Sequence, residues 1–297
     1  VSAGPAGDAP TGEARARLLA GIGLACAASA SFAVLDATVK YLSQTYPPPL
    51  ASWARYAFHV LLMAVLLVPK RGLSLVATRA PWLQAARGAC LGLSSLTFFG
   101  ALALMPQAEA TALIATAPIL VTAVSVRWLG ERATRGTWLA LAASFAGVLL
   151  IVRPGSSLFG PTALLPLLAA VFATGYSLLT RRLAGIDDGV ATLFIGGLVA
   201  TLMLSVFVPI YWMAPQSLAH LGLFALAGLI GAGGHLLLIR AYERADATTI
   251  APFTYVHTVA ALICGWLVFG QFPDRAALLG MGLIVVTGVA MALARRH

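Results

Sequence analysis

Long apolar runs separated by short clusters of proline, glycine and charge dominate this chain. Ten such runs occupy residues 18–43, 50–69, 82–104, 107–129, 134–152, 159–183, 188–212, 217–240, 247–270 and 274–294. Most are close to the roughly 20 residues that a helix rising about 1.5 Å per residue needs to cross a bilayer's hydrocarbon. The separators are turn-forming: Tyr46-Pro47-Pro48-Pro49, Pro69-Lys70-Arg71-Gly72, Gly130-Glu131-Arg132, Arg153-Pro154-Gly155, Asp187-Asp188-Gly189 and Phe272-Pro273-Asp274. None of them can hold a soluble domain. Strands of a membrane barrel would show alternating polarity over about ten residues instead. The pattern therefore predicts an all-α membrane protein with ten transmembrane helices. Residues 1–17, the first fourteen of them rich in Ala, Gly and Pro, read as a disordered cytoplasmic N-terminus. Arg15 and Arg17 ahead of an apolar run resemble a secretory signal, but the run outlasts a signal-peptide core and nine more follow, so it reads as an uncleaved first span.

Composition agrees with lipid as the solvent. Hydrophobic residues make up 60% of the chain and charged ones only 10%, against about 25% charged in a soluble domain, which excludes an ordinary soluble enzyme. The formal charge of +9 would fit nucleic-acid binding only if it collected on one folded face. Sorted by span it does something else: fifteen of the nineteen basic residues fall on the side of the termini, Lys40, Arg153 and Arg275 fall on the other side, and Arg55 lies inside span 2. That asymmetry places both termini in the cytoplasm. The six tryptophans sit near span ends as interfacial anchors, Trp53 being the one open to a second role. Cys26, Cys90 and Cys264 lie in apolar runs without paired spacing, so neither a disulfide framework nor a zinc site is expected.

Shifting the chain against itself by 140 residues lays Phe32-Ala33 on Phe172-Ala173, Ala101 on Ala241 and Leu129-Gly130-Glu131 on Phe269-Gly270-Gln271, and brings several span boundaries into register. The chain divides into a first five-helix repeat, 18–155, and a second, 156–297, which ends in a short cytoplasmic C-terminus. Five is odd, so the second repeat enters the membrane from the opposite side. Inverted repeats of this kind build secondary transporters, with a midplane site between the halves.

The residues Phe32 to Lys40, Arg55, Ala101-Leu102 running into Pro118, Leu129-Gly130-Glu131-Arg132, Gly147 through Gly155, and Ala241-Tyr242-Glu243-Arg244-Ala245 through Gly270-Gln271 carry a family likeness. Over about 18–294 the chain resembles ten-helix members of the drug/metabolite transporter superfamily of the EamA type, and within it the YddG-type amino-acid exporters of the bacterial inner membrane. It departs from the pattern where the usual Trp-Gly of span 1 reads Phe32-Ala33 and the second Gly-Glu reads Gly270-Gln271. The resemblance implies a multi-pass inner-membrane protein exporting amino acids, aromatic ones included, and related small metabolites by alternating access. Efflux of cationic drugs or carriage of another metabolite is the near alternative, and a non-transporting membrane subunit or sensor the distant one.

Two groups of residues are not explained by lipid. Asp36 and Lys40, at i and i+4 on span 1, share a helix face with the means to pair, and Arg55 lies at similar depth in span 2. They read as a neutralised structural triad, as an outer gate or as a site for an ionic substrate group. Near the midplane lie Ser94, Ser95 and Thr97, Thr116 and Pro118, His235, and Thr254, Tyr255, His257 and Thr258. The hydroxyls have two readings, bonding back to their own helices or lining a cavity. His235 and His257 divide between interhelical hydrogen bonds and cavity lining, with proton handling a further role, and His59 shares that ambiguity. Phe32, Phe98, Phe172 and Tyr176 form either aromatic walls for cargo or a lipid-facing surface. The glycines before His235, namely Gly228, Gly231, Gly233 and Gly234, point to close helix approach. The expected substrate contacts are Phe32, Ser94, Ser95, Phe98, Thr116, Tyr176, His235, Tyr255 and His257, with Asp36, Lys40 and Arg55 as gate or ion pairs. Walker A, HExxH and GxSxG motifs are absent. The expected partners are thus a small molecule and the bilayer, with no cofactor, metal, nucleic acid or enzymatic activity.

Overall fold

The computed structural model describes residues 12–117, 119–120, 124, 135–152, 160–183, 185–242, 244, 253 and 255–294. Among these residues there is no strand, and ten helices of eight residues or more follow one another: α1 (Gly12–Leu42), α2 (Pro48–Arg71), α3 (Pro81–Leu104), α4 (Gln107–Ile114), α5 (Arg135–Ile151), α6 (Leu164–Leu183), α7 (Gly189–Leu204), α8 (Leu218–Tyr242), α9 (Val256–Phe269) and α10 (Arg275–Ala294). Six segments, in α1, α2, α3, α6, α7 and α8, are long and apolar enough to cross a membrane, and α5, α9 and α10 contain shorter apolar stretches. Proline at the first turn starts α2 and α3, where a missing N–H costs nothing. The Asp188 carboxylate accepts from the backbone of Val190 and Ala191 and so caps α7. Gly270 ends α9 in the left-handed conformation, at φ 66°.

Three boundaries differ from the sequence pattern. Residues 12–17, expected in the tail, begin α1, while 1–11 lie outside the described residues. The fourth run is not one unbroken helix: α4 stops at Ile114, and a turn follows at Ala115–Thr116. There the Thr116 hydroxyl donates to the Leu113 carbonyl at 2.7 Å, and Pro118, itself outside the described residues, has no N–H for the carbonyl of Ile114. The seventh run narrows after Leu204 into a 3-10 turn and the single-turn helix Val208–Tyr211 around Pro209. Gly130-Glu131-Arg132, Arg153-Pro154-Gly155, Pro252 and Thr254 lie outside the described residues.

The helices pack in a pattern that repeats itself. α1 packs on α8 as α6 packs on α3; α2 meets α8 as α7 meets α3; α9 meets α1 as α4 meets α6; α2 pairs with α7 and α5 with α10. Side-chain contacts give the directions. Ala25 packs with Ala241, the Phe32 ring meets His235 and Tyr46 meets His220 edge to face, so α1 and α8 are antiparallel. Ser94 reaches the carbonyl of Ala169 and Arg87 reaches Thr180, so α3 and α6 are antiparallel too. Ser144 bonds Thr287 at 2.6 Å while Gly147 abuts Gly280, so α5 and α10 are antiparallel as well. Since Lys40 near the end of α1 meets the end of α3, α1 and α3 run together, and α6 and α8 run against them. The surface is apolar where it faces outward: Leu139 and Leu267 are each 71% exposed, a burden in water and none in lipid.

At the end opposite Lys40 the loop after α2 docks on the loop before α7. Asp187 accepts from the Arg79 backbone N–H at 2.9 Å, the Gln84 amide at 2.8 Å and the Thr78 hydroxyl, while Arg71 pairs with Asp188 at 2.8 Å. The Arg79 N–H, followed by the Thr78 hydroxyl, holds the Asp187 carboxyl below the ordinary value of 3.8 against a smaller opposing effect of burial. A depressed folded value means the docking is complete above 3.8 and is lost as pH falls through the lower value. Hydrogen exchange of residues 76–80 should therefore rise on acidification below that value, and Asp187→Asn should exchange fast at every pH. A wild-type rate independent of pH in that range, after correction for intrinsic exchange, would sink this account.

Candidate functional site

Where α1, α2, α3, α6 and α8 meet the broken end of α4 and the beginning of α9, the packing leaves a cavity of about 310 Å³. The glycines of α8 bring the helices close. A Cβ at Gly228 would lie 2.5 Å from Phe58 Cβ and 2.9 Å from the His59 backbone nitrogen, and one at Gly234 would lie 2.8 Å from the Phe32 ring. Gly233 has open space around it. Of the expected substrate contacts, Phe32, Ser94, Ser95, Phe98, Tyr176, His235, Tyr255 and His257 line the cavity, as do Asp36 and Arg55. Thr116 does not, its hydroxyl being bonded back to its own helix end.

Within the cavity wall each polar side chain has a defined partner or a conspicuous lack of one. Asp36 meets His257 with 2.7 Å between Oδ2 and Nε2. This is an ion pair when the imidazole is protonated and a hydrogen bond from it when neutral. Phe32 sits between the two histidines, its ring 5.0 Å from His235 and 6.3 Å from His257. The Arg87 guanidinium lies 4.5 Å over the Tyr176 ring and donates to the Tyr176 hydroxyl at 2.8 Å, to Thr180 at 2.8 Å and to the Thr192 carbonyl at 3.0 Å. Ser94 is committed to the Ala169 carbonyl, whereas Ser95 accepts from Arg55 at 2.8 Å. The hydroxyls of Thr111, Tyr255 and Thr258 are buried without a hydrogen-bond partner. Among the described residues no three His, Cys, Asp or Glu side chains come together to hold a metal ion.

The expected ion triad of Asp36, Lys40 and Arg55 does not form. Lys40 instead donates to the carbonyls of Leu102 and Met105, each at 2.6 Å, at the end of α3. Last-turn carbonyls lack helical donors and carry the negative end of the helix dipole, and they lie within the reach of the long lysine stem. Asp36, one turn deeper, finds His257 in the first turn of α9. Arg87 also departs from expectation: counted among the cytoplasmic loop charges, it is 96% buried within α3, at 4% exposure. Trp53 lies away from the cavity, donating to Ser205 at 2.9 Å, meeting Trp212 edge to face, and lining a separate apolar groove of about 360 Å³. His59 is buried against Met63, with 3.1 Å between Nε2 and the sulfur. Leu35, Leu91, Phe99 and Thr111 line the cavity without having been singled out, because apolar and hydroxyl residues in a span carry no mark of which way they face.

Comparison with known proteins places this geometry in a family. A model described as the EamA-like transporter family matches residues 19–153 and again residues 160–293. The chain is 33% identical over 283 residues to the pseudopaline exporter CntI of Pseudomonas aeruginosa, covering 94% of this chain and 98% of that one. It is 31% identical to a riboflavin transporter of Rhizobium johnstonii, over 87% of this chain and 86% of that one. An S-adenosylmethionine uptake transporter of Rickettsia conorii is 25% identical over 91% of each chain. One crystal structure, 21% identical, shares the fold with a TM-score of 0.63 over 95% of this chain and 98% of that one. With a matched model over most of its length, membrane-length apolar helices and a polar cavity between them, the chain belongs to the EamA-like transporter family.

Proposed function

We propose that this protein is a ten-span secondary-active or facilitative transporter of the inner membrane, with both termini in the cytoplasm, that exports amino acids, aromatic ones included, and related small metabolites. The observation that carries this reading is the cavity: one chamber, walled by helices of both five-helix units, holding aromatic rings beside the Asp36–His257 pair. A chamber of about 310 Å³ is of a size for a small metabolite. Phe32, Phe98 and Tyr176 offer faces to an apolar side chain, and Asp36 offers a carboxylate to an amine.

The inverted-repeat architecture is supported by the self-repeating packing, by the opposed senses of α1 and α6 and of α3 and α8, and by a family model that matches the chain twice. Rocking one unit against the other around a shared chamber gives alternating access. The comparison proteins named as exporter and uptake transporter support movement of a metabolite, and export of amino acids is our narrower assignment. Purified protein in liposomes preloaded with a panel of labelled amino acids should release cargo faster than protein-free liposomes. Equal release across the whole panel, tested in both directions, would overturn the assignment.

A further inference from the structure

We infer that Arg55 is the docking point for the carboxylate of the transported metabolite, an inference that rests on the transporter reading above and gives Arg55 a role other than gating. The guanidinium is buried, at 5% exposure, in a helix long and apolar enough to cross a membrane, and it lines the cavity. Among the described residues no carboxylate pairs with it. Its Nη1 donates to the neutral hydroxyls of Ser95 at 2.8 Å and Tyr56 at 3.0 Å, and its plane lies 4.6 Å over Tyr56 and 5.5 Å from the Phe99 ring centre. Hydroxyls and ring faces orient a cation without neutralising it, and a buried charge without its counter-ion is costly.

Two further observations point to an absent acceptor. The Nε of Arg55 is buried with no partner, and so are the hydroxyls of Thr111, Tyr255 and Thr258 along the same cavity. Buried donors are nearly always satisfied, and four orphaned donor groups on a single chamber call for a ligand rich in acceptor oxygens. In addition, α8 presents a glycine to this part of Arg55: a Cβ at Gly231 would lie 3.2 Å from Nε and 3.5 Å from Nη2. The missing methyl leaves the Nε–Nη2 edge, the side through which guanidinium takes a carboxylate in a two-pronged bond, free of a side chain. A helix tie accounts for the glycine, which lets α8 approach closely, but not for the orphaned Nε. With Asp36 and His257 in the same wall, the chamber then selects a zwitterion by charge at two points.

The test is counterflow in proteoliposomes, with binding by thermal shift on the purified protein, using L-phenylalanine, L-phenylalaninamide and 3-phenylpropionate as probes. Wild-type protein is expected to favour L-phenylalanine over its amide by at least about tenfold, the scale of one charged hydrogen bond. Arg55→Gln should bring that ratio close to one, Arg55→Lys should restore part of it, and Gly231→Ala should lower it in a protein that keeps the arginine. A purely structural arginine would lower expression or melting temperature and leave the ratio intact. Equal handling of acid and amide by wild type, or an unchanged ratio in folded Arg55→Gln and Gly231→Ala, overturns the inference while transport stands. Failure of all three probes to bind or move overturns the amino-acid assignment and this inference with it.

Discussion

Asp36→Asn protein is expected to carry amine-bearing cargo at least about thirtyfold less well than wild type at subsaturating concentration, while still folding. Asp36 is 4% exposed and, among the described residues, its side chain's one hydrogen bond is to His257, so the substitution keeps shape and removes charge from a single point of the cavity wall. Neutralising one member of a buried hydrogen-bonded charge pair costs roughly 2–5 kcal/mol, and 2 kcal/mol is already about thirtyfold in an equilibrium constant. Initial rates of uptake for an amino acid and for its deaminated acid separate the effects. The amine-bearing compound should lose rate far more than the other, and an equal loss for both would show Asp36 holding α1 to α9 rather than receiving cargo.

Gly228→Leu is expected to abolish the folded protein, seen as loss of the monodisperse peak on size exclusion in detergent. The clash at this position is with backbone as well as side chain, 2.9 Å to the His59 nitrogen and 3.0 Å to the Phe58 carbonyl carbon, so no rotamer change relieves it. Forcing α2 and α8 apart costs about 3 kcal/mol, the upper end of the usual scale of overpacking, because the clash is with backbone, and both helices help wall the cavity. Gly233→Leu, one turn and a fraction further along α8 where nothing lies within 4 Å, is the control. A Gly228→Leu protein that elutes and transports like the Gly233→Leu control would show that this close approach is dispensable.

The contrast between those two glycines marks how far the chain could be read unaided. Gly228, Gly231, Gly233 and Gly234 look alike in sequence, yet three of them accept a neighbour and one faces open space, because only the rotation of α8 against α1 and α2 decides which face is covered. The same holds for charge. Asp36 and Lys40 share a helix face, and local spacing pairs them; the fold instead offers Lys40 the uncapped carbonyls of α3 and offers Asp36 an imidazole 221 residues away. Arg87 reads as a loop charge by its place near the start of a span, whereas three acceptors from α6 and α7 bury it. Depth along a helix, by contrast, is a local property, and the residues chosen by depth do converge: eight of the nine expected contacts line one cavity, Thr116 being the exception.

The sequence by itself determined the solvent, the helical class and the approximate extent of most helices, because an apolar run of bilayer length must satisfy its backbone internally and a helix does so with local hydrogen bonds alone. It also carried the twofold similarity of the chain, written as a constant offset between its halves. Only the tertiary structure decided which polar groups face one another, where α4 breaks, and that Arg55 stands in a shared chamber without a carboxylate partner among the described residues. Those depend on helix rotation and on side chains reaching across tens or hundreds of residues, and one-dimensional spacing records neither.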